Sequence, residues 1–319
     1  MLKRLLLLLM MSLSVCAHSQ AWPTKPIKLV VPFPPGGGND SLGRVIGQKL
    51  SEALGQPVVV DNRPGAGATI GTDVVAKSPA DGYTILLSSI TTHALAPALY
   101  PKLSYDPIKD FTPLSLIAVA PTVLVVGPHL KASSLPGLIA LAKSSPGKLT
   151  FASGGNGSAP HIAGELFKAV AGVDLLHIPF RGGGPASLAI MSGDVDMMFD
   201  TAASAMPHVK SGKLLALALA TPARSPDYPN LPTFIEGGLN GYEFNSWYSL
   251  HAPAGTPKPI VERLRAEVAT VLKNPEVRAR IKAFGAEPSS ISGDAFAEFE
   301  RAELIKYTRL IKAANIKLD

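Results

Sequence analysis

One unit, short apolar strand, glycine loop, helix start, recurs along the chain, and its first copy is the most complete. Ile27-Lys28-Leu29-Val30-Val31 is an apolar, β-branched run that reads as a buried strand. Pro32, Pro34 and Pro35 end it, each removing a backbone donor. Gly36, Gly37 and Gly38 then let the backbone turn. Asn39, Asp40 or Ser41 can cap the helix that continues to Leu54. Unpaired N–H groups at the positive end of a helix dipole hold an anion without any basic side chain, and a carboxylate is the expected guest. The same composition also serves a tight βα turn that binds nothing. Neither G-x-x-x-x-G-K-[ST] nor G-x-G-x-x-G occurs here, so the loop is not a phosphate or dinucleotide cradle of those kinds.

The unit returns at P-V-V-V-D (57–61), followed by the glycine loop 62–71 and a helix to about Lys77, and again at the strand 83–88 with the loop 88–93. Repetition of this kind predicts a parallel, doubly wound sheet with helices on both faces. Ligands in such sheets sit beyond the carboxyl ends of the strands. Residues 97–113 read as an irregular excursion. The apolar run 114–126, interrupted by Pro121, reads as a strand, a crossing and a new strand. A second series follows: strand 149–152, loop 153–158 and helix 159–170; then strand 174–179, a triple-glycine loop and a helix near 185–191; then strands 195–199 and 214–220. Residues 244–250 read as the return strand. Thr256 is expected to cap a helix begun by Pro257, with two amphipathic helices after it. The fold class expected is therefore α/β, two doubly wound Rossmann-like domains joined by two crossings. The partition is residues 22–121 with 247–319 as the first domain and 122–246 as the second. A double crossing makes a hinge with a cleft.

Residues 1–21 read as a secretory signal peptide: Lys3 and Arg4, an apolar centre at 5–15, and cleavage after Ser19 or Ala21. The apolar run is short for a membrane span. The expected location is periplasmic. The single cysteine, Cys16, lies in this leader, so the mature chain has no disulfide or thiol nucleophile; a lipidated Cys16 is the alternative. Net charge is +6, or +4 once Lys3 and Arg4 are set aside, with no basic stripe interleaved with aromatics, which argues against nucleic acid as a partner.

Catalytic patterns are missing: no H-E-x-x-H, G-x-S-x-G or C-x-x-C. His93, His129, His161, His177, His208 and His251 show no recognised metal spacing; His161 and Glu165, one turn apart, share either a metal or a hydrogen bond. A triad of Ser153 or Ser158 with His161 and Asp200 requires free choice among many serines. Binding fits better. The loop 153–158 offers hydroxyls and N–H groups at a helix start, with His161 just inside. Arg181 opens a glycine loop, Asp200 ends a strand on the cleft side, and Phe33 can pack on a ligand's carbon chain; each also has a purely structural reading. Trp22 and Trp247 read as structural.

P-F-P-P-G-G-G-N-D (32–40), D-N-R-P-G-A-G-A-T-I-G (61–71), A-D-G-Y-T-I-L (80–86), G-N-G-S-A-P-H-I-A (155–163), P-F-R-G-G-G-P-A (179–186), V-D-M-M-F-D (195–200) and S-G-K-L-L-A-L-A (211–218) occur in this order. Together they resemble the Bug-type, TctC-like receptors of tripartite tricarboxylate transport systems. That resemblance covers nearly all of the mature chain. It implies a type II periplasmic-binding-protein, Venus-flytrap architecture, no catalysis and no cofactor. It also implies small carboxylates held by backbone amides and water. With the residues read above, the expected ligand set is Phe33, Pro35, Gly36, Gly37, Gly38, Asn39, Asp40, Ser88, Ser89 and Thr91 from the first domain, and Ser153, Gly155, Gly157, Ser158, His161, Arg181 and Asp200 from the second; the resemblance implies the loops 36–40, 88–91 and 153–158 with His161, and contributions near Arg181 and Asp200. Phe180 and Arg181 stand where Tyr and Lys are common in the family, and Met191-Ser192-Gly193-Asp194 replaces a more usual L-x-G-Q run. The expected partners are a small organic carboxylate and integral-membrane transporter subunits, with the receptor itself a monomer. A ligand sensor serving a membrane signalling protein and an exported serine hydrolase using Ser158 and His161 are the alternatives.

Overall fold

The structure, a computed structural model, describes residues 22–317. The expected leader, its cleavage near Ala21 and Cys16 lie outside the described residues. β1 (Ile27–Val31) leads into α1 (Gly38–Leu54), β2 (Val58–Asn62), α2 (Thr69–Ala76) and β3 (Thr84–Ser89). A π-helical turn, Thr91–Leu95, and α3 (Ala96–Leu99) follow, so the expected loop after β3 is helical. β4 (Phe111–Val126) opens the second series: α4 (Leu135–Ser144), β5 (Thr150–Ser153), α5 (Ala159–Ala171), β6 (Leu176–Pro179), α6 (Gly183–Ser192), β7 (Met197–Thr201), α7 (Ala202–Lys210) and β8 (Leu215–Leu219). β9 (Asn245–Pro253), α8 (Lys258–Lys273), α9 (Pro275–Ala283), β10 (Glu287–Pro288) and α10 (Gly293–Ala313) complete the chain.

The strands form two half-sheets joined through β4. The first runs β2-β1-β3-β9-β4, the second β6-β5-β7-β4-β8. β1, β2 and β3 are parallel, as are β5, β6 and β7. Each half-sheet has one antiparallel strand inside it, at the same position, and the first also carries the two-residue β10 antiparallel to β4 at its edge. In the first lobe it is β9, between β3 and β4; in the second it is the end of β4, between β7 and β8. Each of these strands arrives from the other lobe, so it can pair antiparallel without a crossover helix of its own. The expected parallel sheets are thus each interrupted by a strand from the other lobe.

The run 114–126 is part of one 16-residue strand, not two strands with a crossing between them. Pro121 does not break it because it stands where partners change. The last β4–β9 pair is Pro121 with Asn245, and the first β4–β7 pair is Thr122 with Thr201. A residue without an N–H is tolerated where a ladder hands over. Two further expectations are corrected. Thr256 does not cap α8; its hydroxyl donates to Pro253 O at 2.7 Å, and Pro257 takes the cap position. None of Asn39, Asp40 and Ser41 caps α1; Gly37 does, in extended conformation.

Packing fixes these elements. Ile27, Leu29 and Val31 of β1 meet Leu42, Ile46 and Leu50 of α1 and Leu264 and Val268 of α8 in one core. Phe151, Phe167, Phe199, Phe234 and Tyr242 make the aromatic centre of the second lobe. Trp247 is buried, its indole donating to Glu303 at 3.0 Å, and Trp22 packs on Tyr83. None of the described helices is long and apolar enough to cross a membrane.

Candidate functional site

The first loop presents its amides after one of them has been consumed. The first bond of α1 runs from Ser41 N–H to Gly37 O at 3.0 Å, so the N–H groups of Gly38, Asn39 and Asp40 precede the helical ladder. Gly36 N–H, in contrast, donates to Asp40 Oδ2 at 3.0 Å. Asp40 also accepts from Arg44 Nε at 3.0 Å and Asn62 Nδ2 at 3.0 Å, while Asn62 donates to Phe33 O at 3.1 Å. Burial alone would raise the Asp40 carboxyl; the bonds from Arg44, Gly36 and Asn62 outweigh it and hold it below the ordinary value. Asp40 is therefore the brace that shapes the loop, and Gly36 N–H is spent on it. Both belong to the expected ligand set, but their polar groups face each other. Pro35 is exposed at the loop's crest, and Phe33 packs at the edge of the first core.

Gly36 adopts φ +87°, a conformation that favours glycine, and nothing lies within 4 Å of where a Cβ would stand on Gly36 or Gly37. At Gly38 the nearest atom to such a Cβ is the Tyr248 hydroxyl, at 3.6 Å. The opposite lobe is close. A methyl on Gly182 would sit 3.7 Å from Pro34, and one on Gly67 would sit 3.4 Å from Asn156 O. The glycine loops of the two lobes thus face each other across the cleft.

Three buried polar atoms from the expected set have no hydrogen-bond partner: Asn39 Oδ1, Ser89 Oγ and Ser158 Oγ. Unsatisfied buried polar groups are uncommon, so three among the residues expected to bind need an explanation. Thr91 is buried beside them in the chain, at the start of the π-turn. Ser88 is different. Its hydroxyl donates to Ser249 O at 3.1 Å and lies 2.6 Å from His251 Nδ1, so it is engaged inside the first lobe.

In the second lobe, Ser153 Oγ lies 2.6 Å from His177 Nε2 and accepts from Gly155 N–H at 3.1 Å. His161 Nδ1 accepts from Gly157 N–H at 3.1 Å, which makes that nitrogen an unprotonated acceptor. Burial, with a smaller contribution from Lys168, pushes the His161 imidazole down to about 4. Gly155 and Gly157, at φ +126° and +76°, carry the chain round this loop. The Ser–His–Asp combination is not assembled: Ser153 meets His177, and His161 is engaged with a backbone amide. Glu165 pairs with Lys168 at 3.1 Å instead of with His161. Arg181 is exposed. Asp200, at the end of β7, accepts from Thr201 N–H at 2.7 Å; burial raises its carboxyl to about 6.

Two cleft residues were missed from sequence. Tyr248 on β9 reaches the start of α1, and its hydroxyl is raised by burial and then by the charge of Asp200, with Thr201 beside it. Nothing in the run S-W-Y marks the tyrosine, because only strand register puts it beside Gly38. Asn62 stands in a quoted motif, but its tie to Asp40 needs the parallel pairing of β1 with β2.

Two hinged lobes of matching topology, with loops at the carboxyl ends of their strands turned toward one another, define a solute-binding protein of the flytrap class. The family model described as the tripartite tricarboxylate transporter family receptor, TctC, matches residues 42–316, and the chain belongs to that family. It is 38% identical to the protein BugT of Bordetella pertussis, over 94% of this chain and 92% of that one. A solved structure described as R. palustris Rpa4515 with adipate superposes with a TM-score of 0.89 at 37% identity, covering 93% of this chain and 99% of that chain. MatC from Rhodopseudomonas palustris, with bound malate, superposes with a TM-score of 0.85 at 34% identity, covering 91% of this chain and 100% of that chain.

Proposed function

We propose that this receptor is exported to the periplasm, where it captures a small organic carboxylate of the C4–C6 di- or tricarboxylate class between its lobes. It then delivers that ligand, chemically unchanged, to the membrane subunits of a tripartite tricarboxylate transporter. The observation that carries the reading is the combination of amides that precede the helical ladder at the start of α1 with the unpartnered hydroxyls of Ser89 and Ser158. Arg44 and Arg63 are already bound to Asp40 and Asp61, so at the first loop the anion is received by neutral donors. Such donors strengthen when closure removes water and release the guest without breaking an ion pair. The adipate and malate of the two Rhodopseudomonas relatives support the ligand class. The hinge supports a division into residues 22–121 with 247–319 and residues 122–246, since β4 changes partners at Pro121 and Thr122.

The test is thermal-shift screening of the purified protein against organic acids. A member of the class raises the melting temperature with saturation. A panel of C4–C6 acids that leaves it unmoved contradicts the reading, and turnover of any of them contradicts the role as a receptor.

A further inference from the structure

Behind the ligand loop, three side chains from distant parts of the sequence converge in the interior of the first lobe. His93 comes from the π-turn after β3, His251 from β9 and Glu300 from α10; they are 0%, 0% and 3% exposed. One ligand atom from each lies within 4.8 Å of the others. His251 Nε2 is 3.0 Å and His93 Nε2 3.9 Å from Glu300 Oε1. None of these three atoms has an aligned hydrogen-bond partner. Among the described residues no lysine or arginine pairs with Glu300.

The far sides of both rings are held. Thr92 Oγ1 lies 3.0 Å from Ser89 O and 2.8 Å from His93 Nδ1; in the tautomer where its proton goes to Ser89 O, the ring supplies the hydrogen of the second contact. That leaves a bare lone pair on His93 Nε2. Ser88 Oγ lies 2.6 Å from His251 Nδ1, 2.7 Å from Ser249 Oγ and 3.1 Å from Ser249 O; in the tautomer where its proton goes to Ser249, the hydrogen of the imidazole contact is on His251 Nδ1 and Nε2 carries a lone pair. In that tautomer two imidazole nitrogens and a carboxylate oxygen are gathered as acceptors in one buried place with no donor among them, an arrangement that a cation satisfies. Anchoring of the outer nitrogen is also how proteins orient metal-bound histidines.

We propose that His93, His251 and Glu300 bind one divalent transition-metal ion of the zinc class. Two imidazoles and one carboxylate suit zinc and not calcium or magnesium, which prefer oxygen. With the third edge at its 4.8 Å limit, the point equidistant from the three atoms is about 2.4 Å from each, a few tenths of an ångström beyond zinc bond lengths. The ring planes are 22° apart with centroids 4.3 Å apart, so occupancy tilts the more distant ring, His93, toward the ion. Three protein ligands leave a fourth position for a water. The ion ties the ligand loop to the return strand and the C-terminal helix. It stands independently of the carboxylate reading.

The experiment uses the purified full receptor, stripped with chelator and then titrated with Zn2+ and Co2+. We expect one Zn2+ per chain retained through gel filtration and a melting temperature higher by roughly 5 °C at saturation. Bound Co2+ should show the visible absorption of a four-coordinate site. Glu300→Gln keeps a hydrogen-bonding group of the same shape and should lose the ion and the melting shift, with an unchanged circular dichroism spectrum. If that variant does not fold, the Co2+ spectrum and metal stoichiometry of the unaltered protein decide. Absence of stoichiometric metal in the unaltered protein, or equal uptake by a folded Glu300→Gln, overturns the proposal.

Discussion

Ser158 is the N-cap residue of α5, but its buried Oγ makes no hydrogen bond, so the hydroxyl contributes little to folding and is free to contribute to binding. Ser158→Ala is expected to weaken carboxylate binding by about 10-fold, in line with loss of one hydrogen bond to a charged group. The melting temperature of the unliganded protein should stay level or rise slightly. Calorimetric affinity checks the first and a thermal melt the second; unaltered affinity would remove Ser158 from the site. Two titrating residues give opposite pH signatures. His161 is pushed from 6.5 to about 4 in the fold, so the unfolded chain binds its proton first. Its contribution is present above about pH 6.5 and is lost as pH falls toward 4. Asp200 is raised from 3.8 to about 6, so its contribution is present below about pH 4 and lost as pH rises through 6. Urea unfolding from pH 4 to 7.5 should therefore show a shallower rise in stability for His161→Gln than for the unaltered protein, and a steeper one for Asp200→Asn. A carboxylate in the cleft raises Asp200 further, so binding near pH 6.5 should take up protons, and Asp200→Asn should abolish the uptake. Calorimetry in buffers of different ionisation enthalpy measures this.

At the scale of elements, helix-on-sheet packing is set by glycines. A Cβ on Gly164 of α5 would overlap the Phe151 ring of β5, and one on Gly43 of α1 would lie 2.9 Å from Val31. Gly164→Val is expected to cost about 1–3 kcal/mol by overpacking. A denaturant midpoint unchanged from the parent would show that α5 stands off the sheet. Elements of this kind were legible in the sequence because a strand, a glycine turn and an amphipathic helix each carry a local signature. The continuity of β4 was not legible. Pro121 looks like a breaker in isolation and is tolerated only because the ladder changes partner there. The first-loop glycines could be read as a helix start, but their division of labour could not. Which amide Asp40 consumes depends on Asn62 from another strand. The His93–His251–Glu300 cluster was invisible for the same reason: its members lie far apart in sequence and meet only through β3–β9 pairing and the packing of α10.

For the whole molecule, the consequence of two crossings is that each lobe contains a strand delivered by the other, and the two sheets stay joined through β4 and β9. A Cβ on Gly182 would stand 3.7 Å from Pro34 and one on Gly67 3.4 Å from Asn156 O, so the rims of the two lobes stand near each other, where closure of the cleft brings them together. The central claim is that this closure is driven by a negatively charged guest at the start of α1. Isothermal titration calorimetry of the purified receptor tests it most directly, comparing adipate with its neutral diamide. The account predicts that the dicarboxylate binds one per chain and the diamide does not measurably bind. Equal binding of both, or no binding of any C4–C6 dicarboxylate, would contradict it.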